Sequence, residues 1–294
     1  MTAPTPGRDP VTTPARPPAS AARLRILVPE ELRHFLPARR RGPARDPDGM
    51  PCPYDGAASL GHVVQSLGVP LTEVSRLRAD GEPVPAAYRP PDGARIELFP
   101  VPRPQPLPPT APMPPRFVLD VHLGALARRL RLLGVDTACR NDAADPELVE
   151  QAAAERRILL TQDRGLLLRR ALWLGAYVRG SRPDEQLTDV LDRFAPPLDP
   201  WTRCPACNGT LASVPKEEVA EQLPPGTRRT YDTFTRCTAC GHLYWPGAHH
   251  PRLAARVAAA RRASGGGPAS GDGSAPRGAS GSGSGGSTSG DDAG

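Results

Sequence analysis

In several parts of the chain, apolar residues recur every three or four positions, the spacing that places them on one face of an α-helix. This pattern predicts a helix over residues 59–69, where Ser59 is a suitable N-cap. Gly134 and Asp145 mark the end of one later helix and the N-cap of the next. The later helices are predicted over residues 122–134, 146–157, 165–175 and 184–194.

Short runs of β-prone residues lie before and between these helices. In the first part of the chain they predict strands over residues 24–28, 75–78 and 94–101. Repeated strand–helix units follow, and they predict a parallel sheet with helices on both faces, an α/β fold. The strands of these units are predicted over residues 116–120, 136–140, 157–161 and 176–180.

Proline and glycine mark the boundaries between these parts. Nine of the sixteen residues from 100 to 115 are proline, which favours extended polyproline II and predicts a linker between two units. Both ends of the chain are poor in apolar residues and predict disorder. The expected organisation is a disordered segment at 1–21, a small domain at 22–101, the linker at 102–115, a sheet domain at 116–199, a cysteine-containing module at 200–250 and a disordered tail at 262–294.

The composition limits the classes of protein to which the chain can belong. Its 294 residues are 38% apolar and 4% aromatic. No apolar run approaches the roughly 18 residues of a membrane-spanning helix, and the N-terminus lacks the apolar core of a secretory signal. We therefore expect a cytoplasmic protein without a membrane partner. The formal net charge of +6 is too small to indicate nucleic-acid binding by itself.

A carboxylate follows each predicted strand of the second part of the chain. The candidates are Asp120, Asp142, Asp145, Asp163 and Asp184. Because ligands of open parallel sheets bind beyond the carboxyl ends of the strands, we expect these side chains to gather at one rim. Clustered carboxylates repel one another unless a cation neutralises them, and oxygen ligands suit Mg²⁺ or Mn²⁺. The alternative is that each acid caps a helix or is solvated.

Four of the six cysteines form two Cys-x-x-Cys pairs, Cys204 with Cys207 and Cys237 with Cys240. Four thiolates complete a closed tetrahedral Zn²⁺ site, so the pairs predict a structural zinc ribbon. A helix over Lys216–Gln222 is predicted between the pairs. A redox role is disfavoured because neither pair opens a strand–helix–strand unit.

The first part of the chain resembles the ubiquitin-like β-grasp domains related to small sulfur-carrier proteins. The resemblance is carried by LGVPLTEV at 67–74, DGEPV at 80–84 and DGARIELFPV at 92–101. Such carriers act through a free C-terminal Gly-Gly, whereas this unit continues into the proline-rich stretch, so we do not expect that role. The unit is interpreted as a binding or spacer module and as a candidate site for a protein partner.

The second part resembles the Mut-seven C-terminal RNase family, a PIN-like nuclease group, over roughly residues 116–250. The matching segments are LDVHLGALARRLRLLGVDT at 119–137, ILLTQDRGLL at 158–167 and VRGSRPDEQLTDVL at 178–191. The resemblance implies a PIN-like parallel sheet flanked by helices, followed by the zinc ribbon, and a metal-dependent ribonuclease. Several bacterial members carry a ubiquitin-like domain in front, which is similar to what we expect for residues 22–101.

Site residues carried over from the family are implied by position. Asp120, Asp145 and Asp163 are the implied Mg²⁺ or Mn²⁺ ligands, Asp142 competes with Asp145, and Asp184 is assigned to the fourth position. Where the family often has Lys or Arg after His-Leu-Gly, this chain has Ala125. The candidates for contact with an RNA backbone are Arg128, Arg131, Arg140 and Arg164.

Two hypotheses from different classes follow. The first is a metal-dependent ribonuclease that hydrolyses RNA phosphodiester bonds at the acidic rim and contains a structural zinc. The alternative is a non-catalytic RNA-binding or adaptor protein, in which the acids are caps and the ribbon and the β-grasp unit recruit partners. The sequence assigns neither the RNA substrate nor an oligomeric state.

Overall fold

The structure, a computed structural model, describes residues 23–41 and 48–263 as three units that follow one another along the chain. The disorder predicted for residues 1–21 lies outside the described residues, and so does the tail from residue 264 onward. None of the helices in the described part of the chain is both long enough and apolar enough to cross a membrane.

The first unit is a β-grasp domain, in which a helix packs on a mixed sheet. Its elements are β1 (Arg23–Leu27), α1 (Glu30–Arg33), β2 (Met50–Pro53), α2 (Leu60–Ser66), β3 (Val74–Ala79), β4 (Glu82–Val84) and β5 (Arg95–Pro100). The strand order is β2-β1-β5-β3-β4, and β1 and β5 are parallel. Alternate strand residues such as Leu24, Ile26 and Ile96 are buried against α2. Ser59 Oγ accepts the His62 N–H, so the predicted N-cap forms.

The second unit is a parallel sheet with helices on both faces, which confirms the predicted α/β class. Its elements are β6 (Phe117–Leu119), α3 (Gly124–Leu132), β7 (Thr137–Cys139), α4 (Asp145–Ala154), β8 (Ile158–Thr161), α5 (Arg164–Leu167), β9 (Gly175–Tyr177) and α6 (Pro183–Phe194). The order is β7-β6-β8-β9, and every neighbouring pair is parallel. Phe117 and Leu119 pack with α3 and α6, whereas Val118 packs with α4 and α5.

Two helix boundaries of this unit differ from the predicted ones. The helix predicted over residues 165–175 ends after one turn at Leu167, and the chain turns back to begin β9. A straight helix of that length would carry its end roughly 15 Å from its start, away from the sheet. The burial of Leu166 and Leu167 against the sheet therefore overrides the local helical preference. The helix predicted over 146–157 has Ala144, and not Asp145, at its N-cap position.

The third unit is an antiparallel ribbon followed by a helix. Its elements are β10 (Leu211–Val214), α7 (Lys216–Val219), α8 (Pro225–Thr230), β11 (Phe234–Cys237), β12 (Leu243–Tyr244) and α9 (His250–Ala263). The predicted inserted helix forms as α7 and a 3₁₀ turn over Ala220–Gln222. Helix α9, which the sequence did not predict, buries Val257 and Ala260 in the core of the second unit.

The first two units are in direct contact at a buried ion pair. Arg193 Nη1 lies 2.9 Å from both carboxylate oxygens of Glu73, and each side chain is only 1% exposed. Glu73 also accepts the Tyr177 N–H at 2.8 Å. Composition predicted an extended linker between the units and gave no information on contacts of the linker itself. In the structure, Leu107 packs on the core of the second unit and Arg103 pairs with its helix α6.

Candidate active site and metal centre

The carboxyl ends of β6 and β8 lie side by side in the middle of the parallel sheet, and an aspartate follows each strand. Asp120 follows β6 and is 8% exposed. Thr161, the last residue of β8, donates from Oγ1 to Asp120 Oδ2 at 2.8 Å. The same hydroxyl oxygen accepts the Asp163 N–H at 2.9 Å. Thr161 therefore fixes the carboxylate of Asp120 relative to the backbone of Asp163.

Thr161 is a site residue that the sequence analysis missed. It is 0% exposed, and it joins two aspartates that the sequence analysis did single out. The available signal was the Thr-x-Asp spacing directly after a strand, because a Thr hydroxyl commonly hydrogen-bonds the backbone two residues further on.

The carboxylate oxygens of Asp120 and Asp163 differ in the other hydrogen bonds that they accept. Asp120 accepts no hydrogen bond at its second carboxylate oxygen from the described residues. Asp163 Oδ1 accepts the Gly165 N–H at 2.7 Å and caps α5, so the capping role left open by the sequence is present here. The carboxylate oxygens that accept no hydrogen bond are hard donors of the chemical kind that Mg²⁺ and Mn²⁺ prefer.

Asp142 and Asp145, the two candidates after β7, each pair with an arginine. Asp142 Oδ1 lies 3.2 Å from Arg140 Nε, and Asp145 Oδ2 lies 3.3 Å from Arg169 Nη2. The hydrogen bond from Arg140 lowers the pKa of Asp142 below its usual value. Their side chains are 77% and 47% exposed, so both are charged surface groups beside the rim.

Asp184, the candidate for the fourth position, lies in the first turn of α6 and faces α3 and α9. Arg129 Nε approaches it at 2.7 Å and Arg256 Nη2 at 3.6 Å. The hydrogen bond from Arg129 lowers the pKa of Asp184. Among the described residues, the five candidate acids contribute to no group of three or more metal ligands within 4.8 Å of one another. The expected convergence of Asp120, Asp145 and Asp163 is therefore not present in this arrangement of side chains.

The arginines predicted to contact RNA have different surroundings. Arg128 is exposed on α3, and Arg140 is held between Asp142 and Glu147. Arg164 donates to the carbonyl oxygens of His34 and Phe35 in the β-grasp unit, at 2.8 and 3.0 Å. Arg131 is only 4% exposed and lies under the ribbon, so its guanidinium does not face an RNA on the surface.

The β-grasp unit borders the acidic rim. Its segment 31–36 reaches the residues that follow β8 and β9, because Arg179 donates to the Glu31 carbonyl at 3.2 Å. The ring of Phe35 meets Tyr177 edge-on at 5.1 Å. Burial and the nearby Arg179 lower the pKa of His34. The sequence analysis treated this unit as a separate module and contained no signal for the contact.

The four predicted zinc ligands converge. The sulfur atoms of Cys204, Cys207, Cys237 and Cys240 all lie within 4.8 Å of one another. The Cys204–Cys240 and Cys207–Cys237 sulfur distances are 3.8 and 3.4 Å. Zn–S bonds of about 2.3 Å in a tetrahedron require sulfur atoms about 3.8 Å apart, so the residues fit Zn²⁺. The predicted clustering of the four cysteines is therefore observed, and zinc at this position stays a prediction.

Backbone groups around Cys237 favour its thiolate form. Burial by itself raises the pKa of this thiol, but hydrogen bonds from the backbone N–H groups of Cys240 and Ala239 outweigh burial and lower the pKa to about 6. The Cys240 N–H lies 3.5 Å from the Cys237 sulfur. Burial raises the pKa of the neighbouring Cys207 thiol to about 12, so one thiolate of the cluster is favoured over another.

The first cysteine pair is tied to the parallel sheet. The guanidinium of Arg131 donates to the carbonyl oxygens of Pro205 and Ala206 at 3.1 and 2.9 Å, and to that of Thr137 at 2.8 Å. Asn208 Oδ1 accepts the Thr137 N–H at 2.9 Å. Thr137 begins β7, so the loop of the metal centre holds one edge strand of the sheet.

Comparisons with known families divide the chain in the same way as its fold. The model of the Mut7-C RNAse domain matches residues 115–257, which include the parallel sheet, the ribbon and the first part of α9. The model of the Mut7-C ubiquitin domain matches residues 21–106. No curated protein and no solved structure matches the chain.

Proposed function

The chain belongs to the Mut7-C RNAse family and carries its ubiquitin domain, and from this premise we propose that it hydrolyses RNA phosphodiester bonds at the carboxyl edge of its parallel sheet. The observation that carries the proposal is the Asp120–Thr161–Asp163 arrangement between two neighbouring strands. A partly buried carboxylate that is oriented by a buried hydroxyl is a costly arrangement for a group without a role.

The residues of this chain would bind and orient the substrate at that edge. Asp120 and Asp163 would hold Mg²⁺ or Mn²⁺, with Asp145 or Asp142 and Asp184 reaching the site after release from their arginine partners. The bound cation would supply charge neutralisation at the scissile phosphate and lower the pKa of a water molecule. Thr161 keeps the Asp120 carboxylate in one orientation, and the exposed Arg128 is available to the RNA backbone.

A non-catalytic RNA-binding protein is the second candidate. Asp142, Asp145 and Asp184 each pair with an arginine, which is the state expected of surface acids without a metal role. In that case the rim would bind RNA through its arginines without cleaving it. A protein partner of the β-grasp unit and a cytoplasmic location remain predictions under either candidate.

The test is cleavage of a labelled single-stranded RNA by the purified chain with Mg²⁺ or Mn²⁺. We expect D120N and D163N each to lower the rate at least about 100-fold, because each removes a ligand charge. The matched control is D232N, which changes a carboxylate that is 87% exposed in the ribbon. Full activity in both rim variants would refute the catalytic assignment. RNA binding without cleavage in either metal would establish the second candidate.

A further inference from the structure

The outer face of the β-grasp sheet is rich in arginine. In β1, β3 and β5 the apolar residues alternate with charged ones, and the apolar set is buried against α2. The other set points away from α2 on the opposite face of the sheet. We call this surface the arginine face, and it consists of Arg23, Arg25, Arg76, Arg78 and Arg95.

The register of the strands places these arginines in two groups on one face of the sheet. Arg25 lies directly beside Arg95 across β1 and β5, and Arg76 lies opposite Phe99 across β3 and β5. These three strands are neighbours in the sheet, and strands are spaced about 4.8 Å apart. Arg25 and Arg95 therefore form one pair of positive charges, and Arg76 and Arg78 form a second group further along β3, where Arg78 lies opposite Glu97.

Few carboxylates neutralise this surface. Glu97, which lies on the same face, pairs with Arg95 at 3.5 Å. Within the described residues, the guanidinium groups of Arg23, Arg25 and Arg76 form no ion pair with a carboxylate. Like charges on adjacent strands repel one another, so the surface is complementary to a polyanion.

The ring of Phe99 orders two of these guanidinium groups. The guanidinium carbon of Arg76 lies 4.4 Å from the ring centroid and that of Arg78 lies 5.3 Å from it. Such cation–π contacts hold the guanidinium groups over the ring. Unpaired RNA bases stack on arginine planes as well as on aromatic rings.

We propose that the arginine face binds the backbone of single-stranded RNA, with Arg76 presenting its guanidinium plane to an unpaired base. An acidic protein surface would also meet the charge requirement. The stacked guanidinium above a ring favours RNA, because a carboxylate-bearing partner has no use for a flat stacking surface. This inference rests on the proposed function, since it makes the β-grasp unit a binding site for the nuclease substrate.

The arginine face has a fixed position relative to the acidic rim. Glu73, the residue directly before β3, forms the buried ion pair with Arg193 of α6. Strand β3 carries Arg76 and Arg78, so the residues that would hold RNA are anchored to the catalytic unit. RNA on the arginine face is therefore held next to the catalytic unit, and we expect the face to matter for long substrates only.

The experiment measures binding of the full chain to a labelled single-stranded RNA of 20 nucleotides, without added Mg²⁺ or Mn²⁺, by fluorescence anisotropy at several salt concentrations. The test variant is R25Q/R76Q/R78Q. The matched control is R252Q/R261Q/R262Q, which removes the same charge from exposed positions of α9. We expect the test variant to bind at least tenfold more weakly, with the salt slope of log K reduced by about 2. The control is expected to stay within about twofold of the parent chain.

Other outcomes separate this inference from the proposed function. Equal weakening in both triple variants would mean a general charge effect and would overturn the inference, as would unchanged binding in the test variant. Tighter binding of polyglutamate than of RNA would overturn it in favour of an acidic protein. If the parent chain never cleaves RNA but the test variant alone loses binding, the arginine face stands and the nuclease proposal fails. Cleavage of a trinucleotide, which is too short to reach both surfaces, is expected to be equal in the test variant and the parent.

Discussion

At the scale of single residues, the site depends on a hydroxyl between two carboxylates. Thr161 donates to Asp120 and accepts the backbone N–H of Asp163. We expect T161V, which keeps the side-chain volume, to lower kcat about tenfold or more, because the Asp120 carboxylate loses its orienting donor. T161S is expected to restore most of the rate. The measurement is steady-state RNA cleavage, with thermal unfolding to show that both variants fold. Equal rates in T161V and the parent chain would assign Thr161 a purely structural role.

Asp136 shows how a single carboxylate joins the sheet to the metal centre. It accepts hydrogen bonds from Arg157 at 2.6 Å and from Asn208 at 2.8 Å, and Arg203 lies 3.3 Å away. Burial raises the pKa of Asp136, but the hydrogen bonds from Arg157 and Asn208 outweigh burial, so the pKa lies below the usual value of 3.8. A carboxyl group with a lowered pKa stabilises the fold above its unfolded pKa.

We therefore expect D136N to lower the free energy of unfolding by about 2 kcal/mol at pH 7. The difference from the parent chain should narrow as the pH falls below about 4, because the parent then loses the Asp136 charge as well. Urea unfolding at a series of pH values measures this, and D232N serves as an exposed control. If the difference in free energy of unfolding between D136N and the parent chain stays constant down to pH 2, the charge of Asp136 is not the source of the stabilisation.

At the scale of elements, the zinc ribbon and strand β7 are expected to depend on each other. Arg131 and Asn208 connect the Cys204 loop to the backbone of Thr137. We expect the double variant C204S/C240S to lose about one bound zinc per chain, because a four-thiolate site cannot close with two ligands. Elemental analysis measures the metal, and hydrogen exchange of the β7 amides is expected to become faster. C139S, outside the two cysteine pairs, is the control and should keep its zinc.

The sequence predicted the ends of helices correctly where neighbouring residues determine them. Helix α2 begins at its predicted Ser59 cap, and Gly134 ends α3 with a φ of +81°. At Gly134 a Cβ would also lie 1.9 Å from the Asp199 carbonyl oxygen. Both the backbone conformation and the available space therefore require glycine at this position. The helix predicted over 165–175 failed, because burial of Leu166 and Leu167 against the sheet and the return to β9 outweigh helical periodicity.

At the scale of the whole molecule, a buried ion pair joins the β-grasp unit to the parallel-sheet unit. We expect E73Q to lower the free energy of unfolding by about 3–5 kcal/mol, because it leaves the Arg193 charge buried without a partner. The double variant E73L/R193M should recover much of this loss, since it removes both charges together. Calorimetric unfolding measures both, and E82Q, at an exposed position of β4, is the control. No change in E73Q would show that the two units are held by other contacts.

The sequence by itself determined the α/β class, the β-grasp unit, the family and the four cysteines that cluster. Periodicity, caps and ligand spacing are local properties, so a single chain displays them directly. The tertiary structure decided which acids share a neighbourhood: Asp120 and Asp163 are joined through Thr161, whereas Asp142, Asp145 and Asp184 pair with arginines. It also decided that Arg131 is buried and that five arginines share one face of the β-grasp sheet. These properties come from residues far apart in the chain, and only the packing of strands and units brings them together.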